Sequence, residues 1–332
     1  MTKPQQVSQQ ASDILRLSPG QAWERLREQL WDIFSAALPQ SGIDKEIIRR
    51  DRQLTEWDNL IAASAWDIWN ACVDDSCAEA LPRGSRGIID FWNATNAGPN
   101  GKAVLFLDGL SLREVPLLLA EAKKRQFCLT RSGVWVAELP GRTTAYAKAI
   151  GFSGRSALAN NQTESKHLPG AWTESCNLPF LDCAKMIPPK PLIVFWHHWP
   201  DMKMHESTLE SLAKDAAEKL TSNDFWTFIE RLTMGRTLLI TSDHGYAATG
   251  FFHELQDKAQ AETMQSIFKG QRDVKTSSHE QLPWIPPLDL TLGSHRYALG
   301  RRKWKIQGGY PHLQHGGLSL LEMFVPFIEI QR

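Results

Sequence analysis

The sequence lacks an excess of charge of either sign, since 37 lysines and arginines balance 37 aspartates and glutamates in 332 residues. That balance gives no global attraction for nucleic acid, although it is compatible with a local basic patch. No apolar run approaches the roughly 18 residues that a membrane helix needs. The opening "MTKPQQVSQQ" contains no apolar signal core. We therefore expect a cytoplasmic protein with no membrane span.

Cysteine is scarce as well, with five in the chain and no C-x-x-C spacing among them. An odd number without that spacing indicates reduced thiols in the cytosol. It argues against a disulfide framework and against a zinc site made of cysteines.

The first 100 residues are rich in patterns typical of helices. Ser18, Pro19 and Gln21 predict a helix start, with a cap, a proline in the first turn and a capping-box glutamine. Apolar residues then recur at helical spacing as far as Phe34. We therefore expect a helical N-terminal region over 1–100, with further helices at 43–72 and 86–93.

Beyond a linker predicted at 93–102, the sequence changes to short apolar runs that predict buried strands. These runs are 103–107, 133–139, 191–196, 237–241 and 324–330. Helix-length segments lie between several of them, at 111–126 and 205–232. The alternation predicts an α/β fold with a mostly parallel sheet flanked by helices. The more polar region 246–310 predicts a cap or insertion beside the sheet.

Polar side chains follow each predicted strand, and "LLITSDHGY" (238–246) shows the pattern most clearly. Ligands of open α/β sheets bind beyond the carboxyl ends of the strands. Each residue alone has a plainer interpretation, as a turn, a helix cap or a surface pair. Their joint occurrence at strand ends favours a site. The candidates are Asp108, Thr143 or Thr144, the tandem His197 and His198, Asp201, His205, Asp243, His244 and His315.

The order of these residues resembles that of the alkaline phosphatase superfamily. Three strings are similar to the PglZ domain, a branch of that superfamily found in bacterial phage-defence systems of the BREX type. They are "LFLDGLSLREVPLL", "ELPGRTTAYAKA" and "HGGLSLLEMFVPFI". The resemblance covers about 101–332 and implies an alkaline-phosphatase-like catalytic domain there. It does not account for residues 1–100.

The resemblance also implies a threonine nucleophile and two divalent cations, with zinc favoured and manganese or magnesium as alternatives. Thr143 is the expected nucleophile, and the adjacent Thr144 is the alternative. A phosphothreonine would form and then be hydrolysed. One cation would be held by Asp201, His205 and His315, and the other by Asp108, Asp243 and His244. Arg142 stands where the family pattern leads us to expect a small or acidic residue.

The segment "SHRYALGRRKWKI" (294–306) is basic and predicts a strand or hairpin. It is typical of a solvated basic face, but it would attract an oligonucleotide or cyclic nucleotide if it lay over the metal site. His295 and Trp304 would then stack on or hydrogen-bond to the substrate. This interpretation predicts a metal-dependent phosphodiesterase or nuclease. Its expected substrate-binding residues are Arg142, Arg296, Arg301 and Lys303.

Two alternatives stay open at this stage. One is a phosphomonoesterase or phosphomutase that uses the same metals. The other is a non-catalytic or regulatory subunit of a defence complex, with residues 1–100 as a docking surface for other defence proteins.

Overall fold

The computed structural model describes residues 13–14, 16–39, 41–64, 69, 83–94, 101–278 and 282–332. Its centre is a six-stranded sheet in the order β2-β13-β5-β1-β4-β3. These strands are β1 (Gly101–Leu107), β2 (Cys128–Val136), β3 (Trp172–Cys176), β4 (Leu192–His197), β5 (Arg236–Thr241) and β13 (Phe324–Gln331). Strands β3, β4, β1 and β5 are parallel neighbours, and β13 runs antiparallel to β5 and β2. The predicted α/β fold with a mostly parallel sheet is confirmed.

Both faces of the central strand are buried, which explains why its sequence is a continuous apolar run. Leu105 and Leu107 of β1 pack into one hydrophobic cluster, and Val104 and Phe106 pack into another. Helices flank the sheet. The helices of the described residues are α1 (Pro19–Ser35), α2 (Ile43–Ser64), α3 (Gly84–Asn93), α4 (Val115–Lys124), α5 (Thr143–Ala149), α6 (Phe180–Met186), α7 (Asp201–Met204), α8 (Leu209–Thr221), α9 (Asn223–Thr233), α10 (Lys258–Phe268) and α11 (Leu320–Met323).

The predicted helix start at Ser18 is confirmed. The Ser18 backbone N–H donates to Gln21 Oε1 at 3.4 Å, and Pro19 is the first helical residue. Trp23 and Leu26 of α1 are buried in the same cluster as Leu105. The predicted helix 43–72 is observed as far as Ser64, and most of its remainder lies outside the described residues. Within the ranges described above, no helix is both long and apolar enough to cross a membrane.

A buried ionic network ties α2 to the rest of the fold. The carboxylate of Asp51 accepts hydrogen bonds from Arg113 at 2.6 Å and from Arg301 at 2.5 Å. Asp58 also pairs with Arg301, at 2.6 Å. Arg113 in turn donates to the carbonyl of Tyr246 at 2.7 Å. These side chains are all shielded from solvent, so helix α2 is joined to the sheet by paired charges as well as by apolar packing.

The region predicted as a cap or insertion contains the small strands of the protein and helix α10. An antiparallel sheet in the order β8-β10-β9 consists of β8 (Asp273–Lys275), β9 (Asp289–Leu292) and β10 (His295–Ala298). Two short strand pairs also lie in or beside this region. They are β7 (His253–Glu254) with β11 (Arg302–Lys303), and β6 (Ala247–Ala248) with β12 (Leu313–Gln314).

Candidate metal centre

The candidate ligands meet because they follow parallel strands that pair in register. Asp108 directly follows β1, and Asp243 follows β5, its parallel neighbour. The backbone N–H of Asp201 donates to the carbonyl of Asp108 at 2.8 Å. The N–H of Gly109 donates to Asp243 Oδ1 at 3.1 Å. Hydrogen bonds donated by backbone N–H groups thus fix the three strand-end loops against one another.

Gly109 is required at this turn. Its φ of +74° lies in the left-handed region, and a Cβ there would lie 3.3 Å from the Cβ of Asp201 and 3.5 Å from the His244 ring. The absence of a side chain therefore lets the two loops approach.

The six Asp and His side chains form two groups, and within each group the nearest nitrogen and oxygen atoms lie within 4.8 Å of one another. We call Asp108, Asp243 and His244 the inner group because all three are buried. Asp201, His205 and His315 form the outer group, whose side chains are 15%, 57% and 20% exposed. The groups adjoin, since His244 Nε2 and Asp201 Oδ1 are 4.0 Å apart. Solvent therefore reaches the centre from the side of the outer group.

The inner group leaves buried polar atoms that a cation would satisfy. His244 Nε2 and Asp243 Oδ2 are 3.6 Å apart, and neither has a hydrogen-bond partner within the described part of the chain. Buried polar atoms are normally paired, so two adjacent unpaired atoms suggest a ligand. Imidazole and carboxylate without thiolate suit zinc or manganese. The residues present therefore fit a divalent cation.

Two histidines are oriented by backbone carbonyls so that Nε2 faces the carboxylates. Nδ1 of His244 lies 3.0 Å from the carbonyl of Gly245, and Nδ1 of His315 lies 3.0 Å from the carbonyl of Gly141. A carbonyl only accepts, so Nδ1 carries a hydrogen, and Nε2 is the nitrogen left to bind a cation. The two rings stack with centroids 4.0 Å apart. This arrangement presents both Nε2 atoms as metal ligands.

Thr143 lies at the inner group, whereas Thr144 does not. The Thr143 hydroxyl donates to Asp108 Oδ1 at 3.4 Å from the first residue of α5. Thr143 is partly buried, and Thr144 is exposed. Arg142 pairs with Asp273 at 2.8 Å. Of the two threonines, the structure brings only Thr143 into contact with a candidate ligand.

Burial and charge perturb the titration of the centre. Burial, together with the Asp243 carboxylate, raises the pKa of Asp108 to about 8. Burial also raises the pKa of Asp201, but a hydrogen bond from His205 and the nearby histidines outweigh it and lower that pKa to about 2. Burial and His244 lower the pKa of His315 to about 4. His315 is therefore neutral and Asp201 ionised near neutral pH, as metal ligands must be.

The raised pKa of Asp108 predicts that cation binding releases a proton. The metal-free carboxyl of Asp108 holds its proton to a higher pH than an ordinary aspartate does, and a bound cation requires the ionised form. Zinc affinity should therefore keep rising with pH beyond the range in which an ordinary aspartate titrates. Competition with a chromophoric chelator across this range measures the change. Calorimetry in buffers of different ionisation enthalpy counts the released protons. A pH-independent affinity would contradict the assignment of Asp108.

Neither of the tandem histidines is a member of the two groups. His197 is buried, donates from Nε2 to the carbonyl of Leu178 at 2.9 Å and accepts from the N–H of Trp199. His198 is half-buried, and its Nε2 lies 3.0 Å from Ser175 Oγ. These contacts make His197 a packing residue of β4.

Several side chains of the basic segment are buried in the structure. Arg301 is fully buried between Asp51 and Asp58, so its guanidinium cannot reach a substrate. Arg296 is 6% exposed. Trp304 is 1% exposed and donates to the carbonyl of Lys269, which rules out stacking on a base. The remaining predicted substrate-binding residues differ in their exposure: Lys303 is partly buried, and Arg142 is exposed but paired with Asp273.

Two residues contact Asp108 that sequence reasoning missed. Trp196 donates from Nε1 to Asp108 Oδ2 at 3.0 Å, and Arg155 forms an ion pair with the same oxygen. Trp196 lies in the apolar run of β4, where an aromatic residue is expected to fill the core. Arg155 lies in "GFSGRSALANN", which matches no motif. Only the folded geometry identifies either one.

No protein-family model matches this chain, and no curated protein does. Among solved structures, a murine ectonucleotide pyrophosphatase/phosphodiesterase 5, an inactive variant in complex with AMP, is similar at 13% identity with a TM-score of 0.39. The human enzyme of the same name is similar at 13% identity with a TM-score of 0.38. Each match covers 69% of this chain and 87% of the other. Likeness at this level carries no argument about function, which has to come from the site itself.

Proposed function

We propose that this protein hydrolyses phosphate esters at a centre of two divalent cations, with Thr143 as the nucleophile. One observation carries the proposal. The hydroxyl of Thr143 lies 3.4 Å from an oxygen of Asp108, inside a cluster of six Asp and His side chains. A hydroxyl beside two adjoining groups of cation ligands is an arrangement that suits in-line phosphoryl transfer.

The protein's own residues supply the geometry of the reaction. Thr143 donates its hydrogen bond to Asp108 and so holds its oxygen toward the centre. That oxygen bonds to phosphorus as the bond between phosphorus and the ester oxygen breaks, which gives a phosphothreonine. The threonine proton passes to the departing oxygen, which leaves as the alcohol. Water then attacks the same phosphorus, releases phosphate or a phosphomonoester and restores the threonine. Divalent cations bound here would neutralise charge on the phosphoryl oxygens and lower the pKa of hydroxyl groups.

The burial of two arginines of the basic segment weakens the sequence-based argument for a phosphodiester substrate. The basic segment was the reason to favour an oligonucleotide or cyclic nucleotide, and Arg296 and Arg301 belong to the core instead. The proposal therefore extends to phosphate esters as a class. Bis-p-nitrophenyl phosphate and p-nitrophenyl phosphate, assayed side by side, decide between diester and monoester.

The proposal predicts two cations per chain. Elemental analysis of the purified protein, before and after soaking in zinc or manganese, should find two equivalents, one for each group. The loaded protein should release p-nitrophenol, and the same sample stripped with a chelator should not. Protein that binds no metal after soaking would overturn the proposal.

The role in phage defence rests on the resemblance to PglZ-domain proteins alone, and it stays a prediction. So do its partners among other defence proteins. Affinity purification from the native host tests both. A co-purifying partner with no metal in the chain would favour the non-catalytic alternative.

A further inference from the structure

Arg155 makes an unusual contact for a surface arginine. It begins a short 3-10 helix (Arg155–Asn161) and forms an ion pair with Oδ2 of Asp108, a side chain with no exposure to solvent. The Arg155 side chain itself is 26% exposed. Across the described residues it has no other polar partner, so most of its five N–H donors stay available. The guanidinium thus reaches from solvent into the centre.

The carboxylates of the centre explain why a cation is drawn there. Asp108, Asp201 and Asp243 converge on His244, and buried like charges repel one another. In the metal-free chain Arg155 supplies a positive charge at Asp108. A divalent cation at the inner group would supply positive charge in place of the guanidinium and would repel it. Arg155 and the inner cation therefore compete for one carboxylate.

The position of Arg155 also determines which group its guanidinium would contact after it leaves Asp108. Thr143 contacts Oδ1 of Asp108, and Arg155 contacts Oδ2 of the same carboxylate. A phosphoryl group under attack by Thr143 would therefore lie within reach of the guanidinium. Two N–H groups of arginine match a pair of phosphoryl oxygens. Trp196 also holds Oδ2, at 3.0 Å, so Asp108 keeps its orientation without Arg155.

We propose that Arg155 exchanges partners, pairing with Asp108 when the inner group is empty and with the phosphoryl oxygens of the substrate when it is loaded. The inference rests on the proposed function and assigns the anion-binding residue of that site. It predicts effects of opposite sign on the two ligands, which a purely structural arginine would not give.

The test is Arg155→Gln, studied by two binding measurements. Zinc affinity, from chelator competition, should rise by at least about tenfold because a competing positive charge is lost. Affinity of the zinc-loaded protein for inorganic phosphate, from calorimetry, should fall by about 10- to 100-fold because a charge-assisted contact is lost. Arg155→Lys keeps the positive charge but loses the paired N–H groups of the guanidinium. Phosphate affinity should therefore fall less than in Arg155→Gln, and zinc affinity should change little.

Arg131→Gln is the matched control, because Arg131 pairs with Glu329 at 2.6 Å and that carboxylate belongs to neither metal group. It should leave both affinities unchanged. Loss of zinc and phosphate affinity together in Arg155→Gln, or unchanged phosphate affinity, would overturn the inference while leaving the proposed hydrolysis intact. A wild-type protein that binds no zinc would overturn both.

Discussion

Asp243→Asn is expected to lose the inner cation and the hydrolytic activity together. Oδ1 of Asp243 accepts the Gly109 N–H, a bond that asparagine can keep, so the loop should retain its shape. Oδ2 is the unpaired oxygen facing His244, and an amide NH2 at that position cannot act as a cation ligand. Inner-site zinc affinity should fall by more than about 100-fold, and hydrolysis by at least about 10³-fold.

Elemental analysis should find one equivalent of metal in Asp243→Asn and two in the wild type. Asp289→Asn is a matched control, because Asp289 is another buried aspartate and lies outside both metal groups. It should keep two equivalents. If Asp243→Asn also kept two, the inner group would not be a cation site.

Thr143→Ala is expected to abolish turnover without loss of metal. The change removes the oxygen that donates to Asp108 and leaves the six Asp and His side chains in place. We expect the rate of p-nitrophenol release to fall by at least about 10³-fold, as for other nucleophile deletions. Metal content should be the same as in the wild type, which separates this variant from Asp243→Asn.

Thr144→Ala is the natural control, since Thr144 is exposed and adjacent to Thr143. It should retain nearly full activity. Thr143→Ser should recover part of the rate because it restores a hydroxyl. Equal rates for Thr143→Ala and the wild type would remove the threonine from the mechanism, and a loss confined to Thr144→Ala would exchange the two roles.

Most of the sheet could be predicted because strands β1, β4, β5 and β13 are largely buried and have apolar sequences. The meeting of Asp108 with Asp243 followed from parallel strands ending at one edge. Strand β3 was missed because its sequence, "WTESC", is short and largely polar, as suits a strand at the sheet edge. Its pairing with β4 depends on register that periodicity does not reveal.

The charges of the basic segment could not be placed from sequence. Arg301 looks like a surface residue among its neighbours, yet its partners Asp51 and Asp58 come from a helix far away in the chain. Arg155 is the opposite case: it contacts Asp108 at the site, but its sequence neighbours give no indication of this contact. The positions of Arg301 and Arg155 both depend on ion pairs between residues far apart in the chain, and such pairs leave no local pattern in the sequence.

The buried network of α2 bears on how this protein can evolve. Asp51 holds Arg113, which binds the carbonyl of Tyr246 just beyond the inner ligands, and Asp58 Oδ1 accepts the N–H of Leu320 at 2.6 Å. Replacement of this helix by one that lacks Asp51 and Asp58 would leave buried guanidinium groups unpaired, and each would lower the free energy of unfolding by about 3–5 kcal/mol. Substitutions in this helix and in the loops that carry the candidate ligands are therefore coupled, and a change on one side requires a compensating change on the other.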